Sequence, residues 1–185
     1  MRQKRRALSH QQRDYFARQF AHRFSKTQLF INSHNVAFYL ANDGELDPLH
    51  LMRIAWSMGK SCYLPVLSAP YQKKLLFAKY HEGDPVVFNR YGIGEPVIAA
   101  CSRVRARQLD LVLTPLVAFD AQGNRIGMGG GFYDRSFAFL RQRRQWIKPR
   151  LVGVGYGFQQ IDTINDESWD VPLSAIATDN GLIAT

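Results

Sequence analysis

Four glycines fall within five positions, Gly127-Met128-Gly129-Gly130-Gly131, and run directly into Phe132-Tyr133-Asp134-Arg135. Glycine tolerates positive φ and lets a ligand come close to the main chain. A loop of this kind feeding a helix gathers unpaired N–H groups at one point, and the helix dipole adds partial positive charge there. The chemistry on offer is anion binding, most often of phosphate. A plain strand-to-helix turn is the alternative, and the flanking Arg125 and Arg135 weigh against it. Neither common nucleotide pattern fits. The Walker pattern ends in Gly-Lys-Ser/Thr, and no lysine is present; the dinucleotide pattern starts at Gly127 and Gly129 but meets Phe132 where its third glycine belongs. The missing cationic charge therefore falls to Arg125 and the N-terminal arginines.

Three carboxylates accompany the loop. Asp134 follows it directly, and Asp170 sits in Trp169-Asp170-Val171-Pro172. Magnesium on a nucleotide takes one or two protein carboxylates plus phosphate oxygens and water, so these two are candidate ligands. The plainer roles are a first-turn helix acid for Asp134 and a turn residue for Asp170, and spacing does not separate them. Glu45 follows a strand end, where ligands of open α/β sheets bind, and could accept hydrogen bonds from an amino-heterocycle. An ordinary solvated loop acid is its equal alternative. No Ser-His-Asp or Cys-His pairing is evident, and the five histidines fall in polar stretches that read as exposed.

The elements that must position these groups read as alternating helices and strands. Ser9 with Gln12 forms a capping box, and Phe16, Phe20 and Phe24 recur every four residues, so the pattern predicts an amphipathic helix over 9–24. A short helix is expected within 26–32. Val36–Leu40 reads as a strand ending in the turn Ala41-Asn42-Asp43-Gly44. Asp47 and Pro48 then open a helix with Leu49, Met52 and Trp56 on its apolar side, Gly59 stops it, and Ser61–Val66 is the next strand. Strand, helix and strand in about 30 residues make a βαβ unit with a parallel pair. Further strands are expected at Leu75–Tyr80, Asp110–Thr114, Leu151–Tyr156 and Ala175–Thr178. Tyr91–Pro96 reads as loop, 120–124 as a turn, and 132–146 as a helix with Tyr133, Phe137 and Leu140 on one side. The fold class is α/β, a mainly parallel sheet in a single domain over 1–185.

Composition narrows the function classes. With 46% apolar and 12% aromatic residues the chain is globular rather than disordered. No apolar run approaches the ~20 residues of a membrane helix, and no hydrophobic segment follows the basic start as in a signal peptide. Cys62 and Cys101 lie far apart, which reads as reduced thiols of a cytoplasmic protein and leaves no zinc site. The net charge of +9 is clustered at Arg2–Arg6, at Arg103–Arg107 and at Arg135–Arg150, and such a surface attracts anions.

The block Asp110-Leu-Val-Leu-Thr-Pro-Leu-Val-Ala-Phe-Asp-x-x-Gly123-x-Arg125-Ile-Gly127-Met-Gly129-Gly-Gly131-Phe-Tyr133-Asp134-Arg135 resembles the signature of the 5-formyltetrahydrofolate cyclo-ligases, also called methenyltetrahydrofolate synthetases. Glu45-Leu46-Asp47, Leu64-Pro65-Val66, Gly94-Glu95-Pro96 and Trp169-Asp170-x-Pro172 occur in the family's order, so the resemblance covers nearly the whole chain. It implies a three-layer α/β/α fold and an ATP- and Mg²⁺-dependent closure of 5-formyltetrahydrofolate to 5,10-methenyltetrahydrofolate, through phosphorylation of the formyl oxygen. Phosphoryl transfer needs positioning and charge stabilisation rather than a side-chain nucleophile, in keeping with the residues present.

Carried over by position, the resemblance implies that Arg125, Ile126, Gly127, Met128, Gly129, Gly130, Gly131, Phe132 and Tyr133 bind ATP, with Arg125 and Tyr133 at the reacting groups. Met128 through Phe132 also face the folate, with Leu40 and Glu45, and Asp134 and Asp170 hold Mg²⁺. Two departures stand out. The family loop often carries a basic residue where Gly130 stands. Its ATP-contacting Lys-x-x-x-Arg element falls upstream of Met1; Arg2 and Arg6 have compatible spacing and are expected to serve instead, unless the natural start lies further upstream. The implied partners are ATP and 5-formyltetrahydrofolate, with polyglutamate tails suited to a basic surface, in a cytoplasmic monomer without membrane or nucleic acid. The competing reading is a non-catalytic nucleotide- or RNA-binding protein of the same fold, which would need neither Asp134 nor Asp170.

Overall fold

Ser9 and Gln12 cap a helix as their spacing requires. The Ser9 hydroxyl accepts from the Gln12 N–H at 3.2 Å, and the Gln12 side chain accepts from the Ser9 N–H at 2.8 Å. A short helix α1 (Arg2–Ala7) precedes this cap, α2 (His10–Phe24) follows it, and α3 (Gln28–Ile31) leads into strand β1 (Asn35–Ala37). The structure is a computed structural model that describes every residue except 69–72, 98, 100, 101, 143–147 and 166.

The βαβ unit is present, with corrections of detail. β1 stops at Ala37, three residues before the expected end, and α4 (Leu49–Ser57) returns the chain to β2 (Ser61–Leu67). Val36 stands in parallel register with Cys62. Pro48 occupies the cap of α4 rather than its first helical position, while the Leu49 N–H still donates to Asp47 Oδ1 at 2.9 Å. The buried face of α4 is Leu51, Met52 and Ala55 rather than Leu49, Met52 and Trp56, because α4 packs on both α2 and β2.

β3 (Leu75–Lys79) is a strand as expected, but it runs antiparallel to β2. Within the stretch 91–96 expected as loop, Gly94–Pro96 is instead a strand, β5, which pairs with β4 (Val86–Phe88) as a hairpin. β6 (Arg103–Val104), β7 (Leu111–Pro115) and a second hairpin of β8 (Ala118–Phe119) with β9 (Arg125–Ile126) follow. α5 spans only Phe132–Phe137 and tightens into a 3₁₀ segment at Ala138–Gln142; the rest of the helix expected to 146 lies outside the described residues. β10 (Arg150–Val154), β11 (Ala175–Ala177) and an unanticipated β12 (Leu182–Ala184) complete the chain.

The main sheet has the order β12-β11-β10-β7-β1-β2-β3-β6. Its centre, β11 through β2, is parallel, and its edges are antiparallel. Successive side chains of a strand point to opposite faces. Accordingly Leu111 and Leu113 join the core under α2, α3 and α4, while Val112 joins the core under α5. The result is the expected three layers. From β1 the chain proceeds to β2 on one side, and from β7 to β10 and β11 on the other. The order therefore reverses between β1 and β7, and the space beyond their carboxyl ends is the crevice position at which open α/β sheets bind ligands. Among the described residues no helix is long and apolar enough to cross a membrane.

Candidate active site

The glycine loop stands open at this carboxyl edge. Gly127 through Gly130 are exposed, and Gly129 adopts φ +79 with no atom within 4 Å of where a Cβ would stand. Among the described residues the N–H groups of Gly127 through Gly131 have no hydrogen-bond acceptor. Donors that lack a partner and face open space are what an oxyanion needs. α5 has only six residues, so the backbone N–H groups, more than a helix dipole, must supply the attraction. Arg135 is not free for phosphate: it donates to the Gly130 carbonyl and, through Nε, to Lys73 O at 3.1 Å, stapling the loop.

Arg125 and Asp134 flank the loop and meet as an ion pair, 9% and 22% exposed. Arg125 Nη1 also donates to Val171 O at 2.6 Å, and the Val171 N–H donates to the same Asp134 Oδ1 at 3.3 Å. Asp134 is thereby brought beside the segment that carries Asp170. Asp170 Oδ2 accepts from the Glu167 N–H at 3.1 Å. Asp134 Oδ2 and Asp170 Oδ1 have no partner among the described residues. Among the described residues no cluster of three or more ligating side chains occurs there. Two carboxylates, each with an oxygen to spare, fit a hard cation that completes its shell with phosphate and water.

Glu45 lies across the crevice. Its charge reaches Tyr133, whose phenol is pushed well up by burial and then by Glu45, with Arg125 opposing. Glu45 accepts from the Asn42 N–H at 3.1 Å. Burial lifts its carboxyl to about 7, against the pull of that N–H and of Arg5. It is thus not the solvated loop acid of the plainer reading. Between the ordinary 4.5 and about 7 the folded chain keeps a proton that the unfolded chain has released, so stability falls as pH rises through that window. The expected loss is on the order of 3 kcal/mol. Melting temperature against pH should show it, and Glu45→Gln should flatten that part of the curve. A slope that survives the substitution would place its origin elsewhere.

Arg2 and Arg6, expected to contact ATP, both donate to Asp43 two residues before Glu45. They hold its carboxyl down at about 2. Arg5 also reaches Asp43, at 3.3 Å, and is fully buried. Sequence reasoning passed over Arg5, since nothing in a run of basic residues marks which one turns inward. The β4–β5 hairpin was missed as well. Tyr91 in its turn meets Phe132 edge to face at 5.7 Å. A Cβ on Gly94 would stand 3.0 Å from Leu40 Cδ1. The hairpin thus walls the crevice between Leu40 and the glycine loop.

Other candidates fall away. His50 is partly buried, not exposed, and its Nε2 is committed to Asp14 Oδ1 at 2.8 Å. Burial pushes the Cys62 thiol up to about 12, and Cys101 lies outside the described residues. An open cleft of about 460 Å³ at the opposite sheet edge is lined by Trp56, Lys60 and Lys79 among others. Lys60 there is committed to the carbonyls of Ile31 and Ser33.

The model of the 5-formyltetrahydrofolate cyclo-ligase family matches residues 1–179. A 5-formyltetrahydrofolate cyclo-ligase of Escherichia coli strain K12 is 40% identical over 178 residues, 96% of this chain and 96% of that one. One from Haemophilus influenzae is 42% identical over 139 residues, 75% of this chain and 72% of that one. The solved structure of a 5,10-methenyltetrahydrofolate synthetase from Aquifex aeolicus superposes with a TM-score of 0.81 at 27% identity, covering 99% of this chain and 88% of that one. By sequence over its whole length and by fold, the chain belongs to the 5-formyltetrahydrofolate cyclo-ligase family.

Proposed function

We propose that this chain is an ATP-dependent ligase that closes 5-formyltetrahydrofolate to 5,10-methenyltetrahydrofolate, releasing ADP and phosphate. The observation that carries the reading is the exposed glycine loop, its N–H groups unpartnered, set between the Arg125–Asp134 pair and Glu45 at the sheet's switch point. The formyl oxygen attacks the γ-phosphorus and ADP leaves. The folate's N10 then attacks the activated carbon, loses its proton, and phosphate departs with the electrons of the C–O bond. The loop N–H groups hold the phosphate oxygens, Arg125 and Tyr133 stand at the reacting end, and Leu40, Glu45 and Phe132 hold the pterin side. Asp134 and Asp170 are the residues that would hold Mg²⁺, which supplies neutralising charge on the phosphates when bound. Arg2 and Arg6 reach the nucleotide by leaving Asp43.

The same reading makes the chain a single domain and a cytoplasmic monomer, and its +9 charge suits folates with glutamate tails. Incubation with 5-formyltetrahydrofolate and MgATP should raise the near-ultraviolet absorbance of the methenyl product. A folded protein that gives no change would reject the assignment.

A further inference from the structure

The segment that carries Glu45 is gripped from several elements. The Tyr39 hydroxyl donates to Leu46 O, and the Tyr156 hydroxyl donates to Glu45 O at 3.3 Å. The Glu45 N–H donates to Asn42 O at 3.0 Å, closing the turn. The remaining hold comes from α1. Its side chains Arg2, Arg5 and Arg6 converge on Asp43, which is 12% exposed. Arg2 and Arg6 are 47% and 57% exposed, whereas Arg5 is wholly buried.

Arg5 makes a different kind of contact from its two neighbours. Nη2 donates to Asp43 Oδ2 at 3.3 Å, and Nη1 donates to Leu116 O, at the end of β7, at 3.0 Å. The buried Gln159 donates to the same carbonyl at 2.9 Å. Arg5 therefore ties the turn after β1 to the end of β7, across the crevice. The backbone fits tightly as well: Gly44 has φ +72, and a Cβ there would stand 3.0 Å from Arg5 O. Arg5 Nε has no partner among the described residues. A desolvated guanidinium with one carbonyl bond, one distant carboxylate oxygen and an orphaned N–H is weak evidence of stabilisation, since an apolar side chain of equal volume often serves a fold as well or better. What the arrangement does supply is a fixed distance between two chain segments.

We propose that Arg5 is a positioning residue for Glu45: through Asp43 and Leu116 it sets where the Glu45 carboxyl stands in the folate side of the crevice. The inference rests on the reading of Glu45 as a folate contact. Its consequence is a split between substrates. Loss of Arg5 displaces the 42–46 turn and weakens folate binding, while the glycine loop, held by Arg125 and Arg135, keeps its geometry for the nucleotide. Lysine at position 5 keeps the charge but cannot bridge two acceptors in the planar fork of arginine, so it restores the position only in part.

The test is a double-mutant cycle read in Michaelis constants on the full-length protein. Arg5→Met and Asp43→Asn should each raise KM for 5-formyltetrahydrofolate about tenfold, on the scale of a lost hydrogen bond to a charged group, without raising KM for ATP. Arg5→Lys should fall between. On a Glu45→Gln background neither substitution should raise the folate KM further, because both act through Glu45. Additive rises, or equal rises in the two Michaelis constants, would overturn the proposal. If Arg5→Met fails to fold, Asp43→Asn carries the same cycle, since its side chain lies nearer the surface. A Glu45→Gln variant with unchanged folate KM would remove the Glu45 assignment and this inference together; additivity with an effective Glu45→Gln removes this inference alone.

Discussion

Asp134→Asn should lower kcat about 100-fold or more, the scale of one preorganised electrostatic contact to developing charge, while leaving the protein folded. Asparagine matches aspartate in size. Its side-chain oxygen can still accept from Arg125 and from the Val171 N–H, the two bonds that Asp134 Oδ1 makes. What it loses is the negative charge and the second carboxylate oxygen, the one without a partner among the described residues. The proposed metal role therefore predicts a catalytic defect, together with a higher Mg²⁺ concentration for half-maximal rate. The other possible role, mate of Arg125 and first-turn acid of α5 alone, predicts retained turnover and an unchanged Mg²⁺ requirement; some fall in melting temperature is common to both roles, because asparagine leaves the buried Arg125 charge unpaired. Turnover and Mg²⁺ titration on one variant decide between them.

Arg125→Met should damage both the fold and the activity. Arg125 is nearly buried, neutralises Asp134 and donates to the Val171 carbonyl, so it joins the start of the glycine loop to the 170–171 segment. Breaking a buried ion pair from one side leaves the other charge uncompensated and costs about 3 kcal/mol. For a chain of this length that is a fall of roughly 10 °C in melting temperature. Turnover should fall about 100-fold at least, since the loop and both carboxylates lose their common support. Arg125→Lys keeps a cation but cannot make both bonds, and should recover stability more than activity. An unchanged melting temperature for Arg125→Met would mean that the pair holds nothing together.

These two residues show how far the sequence could be read. The loop, its flanking arginines and the following aspartate are contiguous, so local rules about glycine, caps and charge singled out the loop that the structure leaves exposed with unpartnered N–H groups among the described residues. The helix over 9–24 was legible for the same reason, because its cap and its phenylalanine spacing are local. The partnership of Arg125 with Asp134 and Val171 was not legible: Val171 is 46 positions from Arg125, and the contact exists only because β10 and β11 bring that segment back. The free arginine expected to replace a Walker lysine is in the structure already engaged. The exposed Arg2 and Arg6 are likewise engaged, with Asp43.

Sequence by itself determined the α/β class, the βαβ unit, the position of the exposed glycine loop and the family, because each is carried by local spacing or by a long contiguous block. Tertiary structure alone decided three other things. It turned Arg5 inward while its neighbours stayed out, since burial depends on what lies opposite a helix face and not on residue type. It made 91–96 part of a hairpin wall, since a short strand gains its hydrogen bonds only when a partner is beside it. It raised Glu45 out of the ordinary carboxylate range, since the charge of an acid is set by the dielectric around it. The switch point between β1 and β7 is what gathers these long-range effects at one crevice, and it exists only in the order in which the strands pair.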